Sequence, residues 1–474
     1  MTPEMACFYC QLINRYFIMR KLTLILAALW LGMAVHAQES DIVKQADGYE
    51  WPTDPQVLAK LSDWQDLKFG ALIHWGLYAV PGIVESWSIC NEDWVTRPAG
   101  TTYEGYKQWY WDLCKVFNPY AFDPVQWADA AQDAGMKYVI FTTKHHDGFC
   151  MFDSEYTDFS IAKAGPFARN PKKDVAKHVF QAFRDKNFMI GAYYSKPDWH
   201  HTGFWNPYYA TANRRPNYKI ADHPDWWQSY VDYTQNQLNE ITGGRYGQID
   251  ILWLDGGWIT GSQVGIESVL EKARARYPGM ICVDRTIKGP NENYQTPERR
   301  IPDKQVNHPW ESCLTHSNDW GWVPDAPYKS ARTVIGILAE IVAKGGCLVL
   351  GIGPNAQGLV EDKQIYILKE IGEWLRRCGA AIYGTVTTEA YNPAEKIWVT
   401  ASKDGKTHYA IYALADGEKA PAELSWAGTL PAGGKVTLLN TGAKLTARMK
   451  DGKVVINLPK NIKEEPIAIS FTVN

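Results

Sequence analysis

Between residues 55 and 383 the chain alternates short apolar runs with longer amphipathic stretches. The run 69–75 (FGALIHW) reads as a buried strand, and 138–143 (YVIFTT), β-branched and aromatic, as a second. Runs 189–194, 249–254, 280–283 and 347–351 have the same form. Between them the helical period predicts helices over 125–134, stopped by Gly135, and over 174–186. Further helices are predicted over 226–241, ended by Gly243-Gly244, and over 266–276, 333–343 and 363–377. Strands alternating with helices signal a parallel sheet with crossover connections. So many units over this length fit a (β/α)8-like, TIM-type barrel better than an open sheet. No helical period appears over 289–332, so one or two barrel helices are expected to be missing or irregular.

After about residue 388 the pattern changes to short alternating runs at 397–401, 408–413, 435–439, 454–458 and 468–473. Gly, Asp, Asn and Lys separate them, which is the signature of a β-sandwich. Its strands show few outward aromatics beyond Trp426, so this module is expected to pad the barrel rather than bind a ligand of its own. At the other end, Met19-Arg20-Lys21 precedes an apolar run over 22–35 and the small-residue site Val35-His36-Ala37. That is the build of a signal peptide cut after Ala37, and the run is too short to span a bilayer comfortably, which takes about 20 residues. The expected organisation is an upstream extension plus signal peptide over 1–37, the barrel over 38–387 and the sandwich over 388–474. A secreted or periplasmic protein follows, with no stable membrane span.

Composition narrows the function. The formal net charge is −3 with no basic stripe, which gives no support for nucleic-acid binding. Past the expected cut seven cysteines are scattered without a CxxC, arguing against a zinc site or a disulfide scaffold. The 21 tryptophans fit large β/α packing, and they also suit stacking on the apolar faces of sugar rings.

Active groups of such a barrel gather at the C-terminal ends of its strands. Here those ends carry His74-Trp75, Lys144-His145-His146-Asp147, Tyr193-Tyr194-Ser195, Trp253-Leu254-Asp255-Gly256-Gly257 and Asp284-Arg285. Asp255 ends an apolar strand, lies between Trp253 and Trp258, and precedes two glycines that let a ligand approach closely. A carboxylate so placed suits attack on an anomeric carbon. Retaining glycoside hydrolysis needs a second carboxyl group about 5–5.5 Å away as acid/base. Glu298, in a loop, and Glu311, at the expected end of the next strand, are both candidates. His145 and His146 are adjacent, and adjacent strand residues face opposite ways, so the pair is not expected to chelate one metal ion.

The segments FGALIHWGLYAVPG (69–82), AGMKYVIFTTKHHDGFCMFDS (134–154), GAYYSKPDW (191–199), IDILWLDGGW (249–258), WESC with WGW (310–322) and GIGPNAQG (351–358) resemble glycoside hydrolase family 29, the α-L-fucosidases. They run in family order along nearly the whole barrel. The resemblance implies a retaining exo-hydrolase of fucosylated oligosaccharides or glycoconjugates, working without metal or organic cofactor. It implies Asp255 as nucleophile, and contacts to the sugar from His74, Trp109, His145, His146, Tyr194, Trp253 and Arg285. It favours Glu298 over Glu311 as acid/base. One departure stands out: many members have Glu-Trp where this chain has Gln108-Trp109. A charged sugar contact is then lost, or supplied by Glu85 or Glu92, and a galactose-like sugar becomes the alternative substrate. A non-catalytic carbohydrate-binding barrel is the rival of a different class, against which the intact carboxylates argue.

Overall fold

The computed structural model describes residues 48–473 apart from 93, 96 and 212, so the extension and signal segment expected over 1–37 lie outside the described residues. Helix α1 (Pro55–Leu67) opens the fold, its first turn capped by the Asp54 carboxylate, which accepts from the Gln56 amide at 2.8 Å. Then follow β1 (Phe69–Ile73), α2 (Tyr103–Asp112), α3 (Pro124–Asp133), β2 (Tyr138–Lys144), α4 (Val175–Arg184) and β3 (Met189–Ser195). Next come α5 (Pro224–Thr242), β4 (Ile251–Asp255), α6 (Ile266–Arg276) and β5 (Ile281–Asp284). The barrel part ends with β6 (Glu311–Leu314), α7 (Ala331–Ala343), β7 (Cys347–Ile352) and α8 (Asp362–Cys378). The strands form one parallel sheet in the order β5-β4-β3-β2-β1-β7-β6. Each helix predicted from the helical period is present, and the curled parallel sheet is the expected barrel-like fold.

The irregular stretch has a structural task. No crossover helix joins β5 to β6. Instead extended chain lies between these two edge strands. The Asn293 amide donates to the Cys282 carbonyl at 2.9 Å on the β5 side. On the β6 side Glu311 donates to Gln295 at 2.7 Å and Arg299 to Cys313 at 2.9 Å. Buried backbone groups need partners, and this segment supplies them where a strand would.

The two-residue period of each strand splits the core into two layers. Tyr138, Tyr193, Trp253 and Val283 point into the barrel, joined by Trp64 of α1, whose ring stacks on Tyr294 at 4.0 Å. Val139, Tyr194, Leu252 and Leu254 point outward against the helices.

The tail forms β8 (Thr385–Thr387), β9 (Ile397–Ser402), β10 (Thr407–Tyr412), β11 (Glu423–Ala427), β12 (Lys435–Leu438), β13 (Lys444–Lys450), β14 (Lys453–Asn457) and β15 (Ile467–Thr472). They pair antiparallel in the order β11-β14-β13-β12-β15-β10-β9-β8 around a core that includes Val399, Leu438, Ile456 and Ile469. β8, β11 and β13 are additions to the five predicted strands. β13 buries only Ala447, so its sequence carries almost no alternation. Trp426 belongs to this core rather than to the surface. The module is tied to the last barrel helix, with the Trp374 indole donating to the Pro466 carbonyl at 2.6 Å and Arg377 paired with Glu465. All seven described cysteines are buried and unpaired, as small apolar residues would be.

Candidate active site

Asp255 is the last residue of β4. The next helical turns are capped by Gly261 and Gly265, so its carboxylate is not spent as a helix cap. Its Oδ2 accepts from the Tyr193 hydroxyl at 2.6 Å and its Oδ1 from Arg285 Nη1 at 2.7 Å. Burial alone would raise its pKa. The Arg285 guanidinium, with the Tyr193 hydroxyl and the Gly256 amide, instead holds it well below the usual carboxylate range. Asp255 is thus an anion poised at the site. The two following glycines serve packing: Gly256 has a positive φ and a Cβ there would strike Pro197, while one on Gly257 would strike Thr286.

Arg285 follows β5 and organises both carboxylates. Its Nη2 donates to Glu298 Oε2 at 3.0 Å, its Nε to Thr296 Oγ1 at 3.1 Å, and its plane lies 4.6 Å above the Trp253 ring. Glu298 Oε1 accepts from the Trp320 indole at 3.1 Å. One guanidinium therefore joins Asp255, at the end of β4, and Glu298, in the extended segment after β5, at one point.

His145 and His146 follow the end of β2, where the chain has turned and strand alternation no longer applies. Their rings lie 4.3 Å apart, and His145, His146 and Asp255 each offer a ligand atom within 4.8 Å of the others. The expectation that they face apart is thereby corrected. A cation there would still meet Arg285 bonded to the only carboxylate of the trio, so the donor set suits a metal poorly. Burial lowers the pKa of all three site histidines: His145 falls to about 4, and His74 and His146 lie well below the ordinary value. They are neutral hydrogen-bonding groups. The tautomer of His146 follows from its partner. The Ser195 hydroxyl donates to the Pro197 carbonyl at 2.7 Å, so at 2.6 Å it must accept from His146 Nδ1. Nε2 is then an acceptor, 3.7 Å from the acceptor Asp255 Oδ2. A sugar hydroxyl beside them can donate to either. His145 Nδ1 is paired with Ser86 at 2.5 Å, while His74 Nδ1 is buried without a partner among the described residues.

Aromatic rings wall the site. Trp320 stacks on His74 at 5.1 Å, and Trp87 packs edge-on against His146 at 5.1 Å, with Trp199 and Trp258 beside it. Arg214 lies over both Trp87 and Trp258.

Four expectations need correction. Tyr194 faces outward and its hydroxyl binds Gln237 of α5 at 2.8 Å, whereas its neighbour Tyr193 reaches Asp255. Trp109 stands exposed on α2 against Tyr106, and Gln108 binds Asp112 on the same helix. Trp253 is buried in the barrel as a plate beneath Arg285 and Tyr193, not at the rim. Glu311 begins β6 rather than ending it, so it lies in the barrel core bound to Tyr138 at 2.6 Å and Trp253 at 3.3 Å. Burial pushes its carboxyl up to about 7. Glu85 and Glu92 are both engaged by protein: Glu85 accepts from the Trp320 and Gly321 amides, and Glu92 from Arg214. Sequence reasoning placed Tyr193 at a strand end without giving it a role, and missed Trp87, Thr296 and Trp320 in the site. For Trp87 the signal was present in the Trp-rich loop that also carries Glu85.

A family model described as alpha-L-fucosidase matches residues 36–380. Human plasma alpha-L-fucosidase is 28% identical over 369 residues, covering 74% of this chain and 76% of that protein. The structure of alpha-L-fucosidase isoenzyme 1 from Paenibacillus thiaminolyticus superposes with a TM-score of 0.73 at 28% identity, covering 88% of this chain and all 100% of the other. A GH29 alpha-L-fucosidase from Bacteroides thetaiotaomicron, solved as a trapped covalent intermediate with 2-fluoro-fucosyl fluoride, superposes with a TM-score of 0.70 at 25% identity. It covers 90% of this chain and 98% of that one.

Proposed function

We propose the following division of labour for this chain, which belongs to the alpha-L-fucosidase family and is a glycoside hydrolase. Asp255 is the nucleophile and Glu298 the acid/base of a two-step displacement on terminal α-L-fucosides. The observation that carries this reading is the single Arg285 guanidinium bonded to both carboxylates. One such group gathers both carboxylates into one site, as the paired carboxyl groups of a retaining enzyme require.

In the first step Asp255 attacks the anomeric carbon, and the departing oxygen takes a proton from Glu298. The product is a fucosyl ester of Asp255. The charge of Asp255 is then gone, and Arg285 faces Glu298 as its remaining anion. Glu298 in that form takes a proton from water, whose oxygen attacks the anomeric carbon and frees Asp255. Neutral His74, His145 and His146 hold the sugar hydroxyls, with His146 Nε2 accepting from one of them. The apolar face and methyl of fucose pack on the Trp87 and Trp320 walls.

The test is Asp255→Gly, with and without azide. Loss of activity, recovered with azide as a glycosyl azide of inverted configuration, is expected; an active variant without azide rules the nucleophile out. Glu298→Ala should be slow on poor leaving groups and nearly normal on good ones, and an equal loss on both excludes it as the acid.

The enzyme is further proposed to be exported, on the strength of the basic start and apolar run before Ala37. N-terminal sequencing of protein recovered outside the cytoplasm should begin at Gln38. Full-length protein retained inside the cell would refute export.

A further inference from the structure

Glu311 is a carboxyl group in the barrel core that the proposed reaction does not use. It is wholly buried and meets neither Asp255 nor the sugar pocket in a hydrogen bond. Its two oxygens are taken by the Tyr138 hydroxyl and the Trp253 indole. Trp253 is the residue through which it can act. One face of the indole lies 4.6 Å beneath the Arg285 guanidinium, and its ring is stacked at 5.3 Å and 27° with Tyr193. Among the described residues, Arg285 and Tyr193 are the side-chain donors to Asp255. An indole has one polar atom, a donor, and its second torsion is soft. The bond to Glu311 selects one ring orientation, and a buried donor left without it would be costly.

We infer that Glu311 is a positioning residue for the fucoside reaction: by holding Trp253 it sets the plane on which Arg285 and Tyr193 align Asp255. The inference rests on Asp255 being the nucleophile. It gives the second glutamate of the sequence a task other than proton transfer. It also predicts that shape matters at this position and charge does not. A glutamine carbonyl can accept from Trp253, and its amide can donate to the Tyr138 hydroxyl. That hydroxyl can in turn donate to the Leu348 carbonyl, 3.3 Å away.

The experiment compares wild type, Glu311→Ala and Glu311→Gln on aryl fucosides with good and poor leaving groups, with thermal melts alongside. Misplacement of a reacting group can cost about 10²-fold, so Glu311→Ala is expected to lower kcat to that order on both substrates alike, with KM little changed. Glu311→Gln is expected to restore most of it. An unchanged kcat in Glu311→Ala, whatever its melting temperature, overturns the inference. So does a loss confined to poor leaving groups, which would make Glu311 the proton donor, or a glutamine variant as weak as the alanine one. If Glu311→Ala does not fold, Trp253→Phe replaces it: the ring stays and the donor goes. Loss of kcat on both substrates supports the inference, and wild-type kcat overturns it. Failure of the underlying reading shows separately, as activity in Asp255→Gly without azide.

Discussion

Arg285 is where the site is most exposed to a decisive perturbation. Replacement by Met keeps an unbranched apolar stem and removes the charge. The Arg285 side chain is 7% exposed, Asp255 15% and Glu298 18%, so solvent cannot readily take over the lost contacts. Removing one partner of a buried ion pair costs about 3–5 kcal/mol. At about 1.4 kcal/mol per tenfold in rate, a loss of that size in the transition state lowers kcat/KM by roughly 10²- to 4 × 10³-fold. The pH dependence has a definite sign. In the wild type Asp255 is held well below the ordinary carboxylate range, against burial, which pushes the other way. Without Arg285 burial dominates, the nucleophile takes up a proton more readily, and the acid limb of kcat/KM moves to higher pH. Stability follows the same group. A depressed carboxyl contributes stability that is present above its unfolded value, about 3.9, and is lost as pH falls toward the folded one. The unfolded value is common to both proteins, so the stability gap between wild type and Arg285→Met should be full well above the variant's raised carboxyl value and shrink as pH falls through it toward the depressed wild-type one. The assay is a pH–rate profile on an aryl fucoside with denaturant melts at matched pH. Arg285→Met with wild-type kcat/KM and an unmoved acid limb would refute the reasoning. Arg285→Lys, able to reach one carboxylate at a time, should fall between the two.

Two paired comparisons test the other assignments. Tyr193→Phe removes a hydrogen bond to a charged group, typically about 1.5–3 kcal/mol, and should lower kcat/KM roughly 10- to 150-fold. Tyr194→Phe should leave kinetics unchanged and cost about 1 kcal/mol of stability, read from denaturant melts; the reverse pattern would mean the strand parity is misassigned. Trp87→Ala opens the wall beside His146 and should raise KM about tenfold or more, while Trp109→Ala, on the exposed side of α2, should alter neither kcat nor KM.

The chain order of hydrophobic and polar positions determined the architecture. Helices and strands alternate where the 3.6- and two-residue periods alternate, and the change of period after residue 388 marks the second module within a few residues of β8. Asp255 was legible for the same reason: it ends an apolar strand, and barrel strands deliver their last residues to one mouth. Three things were decided only in three dimensions. In GAYYS both faces of β3 are apolar and buried, so nothing local states whether Tyr193 or Tyr194 faces the barrel axis; the register Tyr193↔Trp253 and Ser195↔Asp255 settles it. Whether Glu311 begins or ends its strand depends on pairing with β7 and with the extended segment at 295, contacts made by residues far apart in the chain. Arg285 is one cation in the sequence, yet its role exists only because β4, β5 and the loop after it bring Asp255, Glu298 and Thr296 within reach of a single guanidinium. Local periodicity reports which face of an element is apolar. It says nothing of which polar groups, from distant parts of the chain, will share one small volume, and that sharing is what keeps the buried carboxylate of Asp255 an anion.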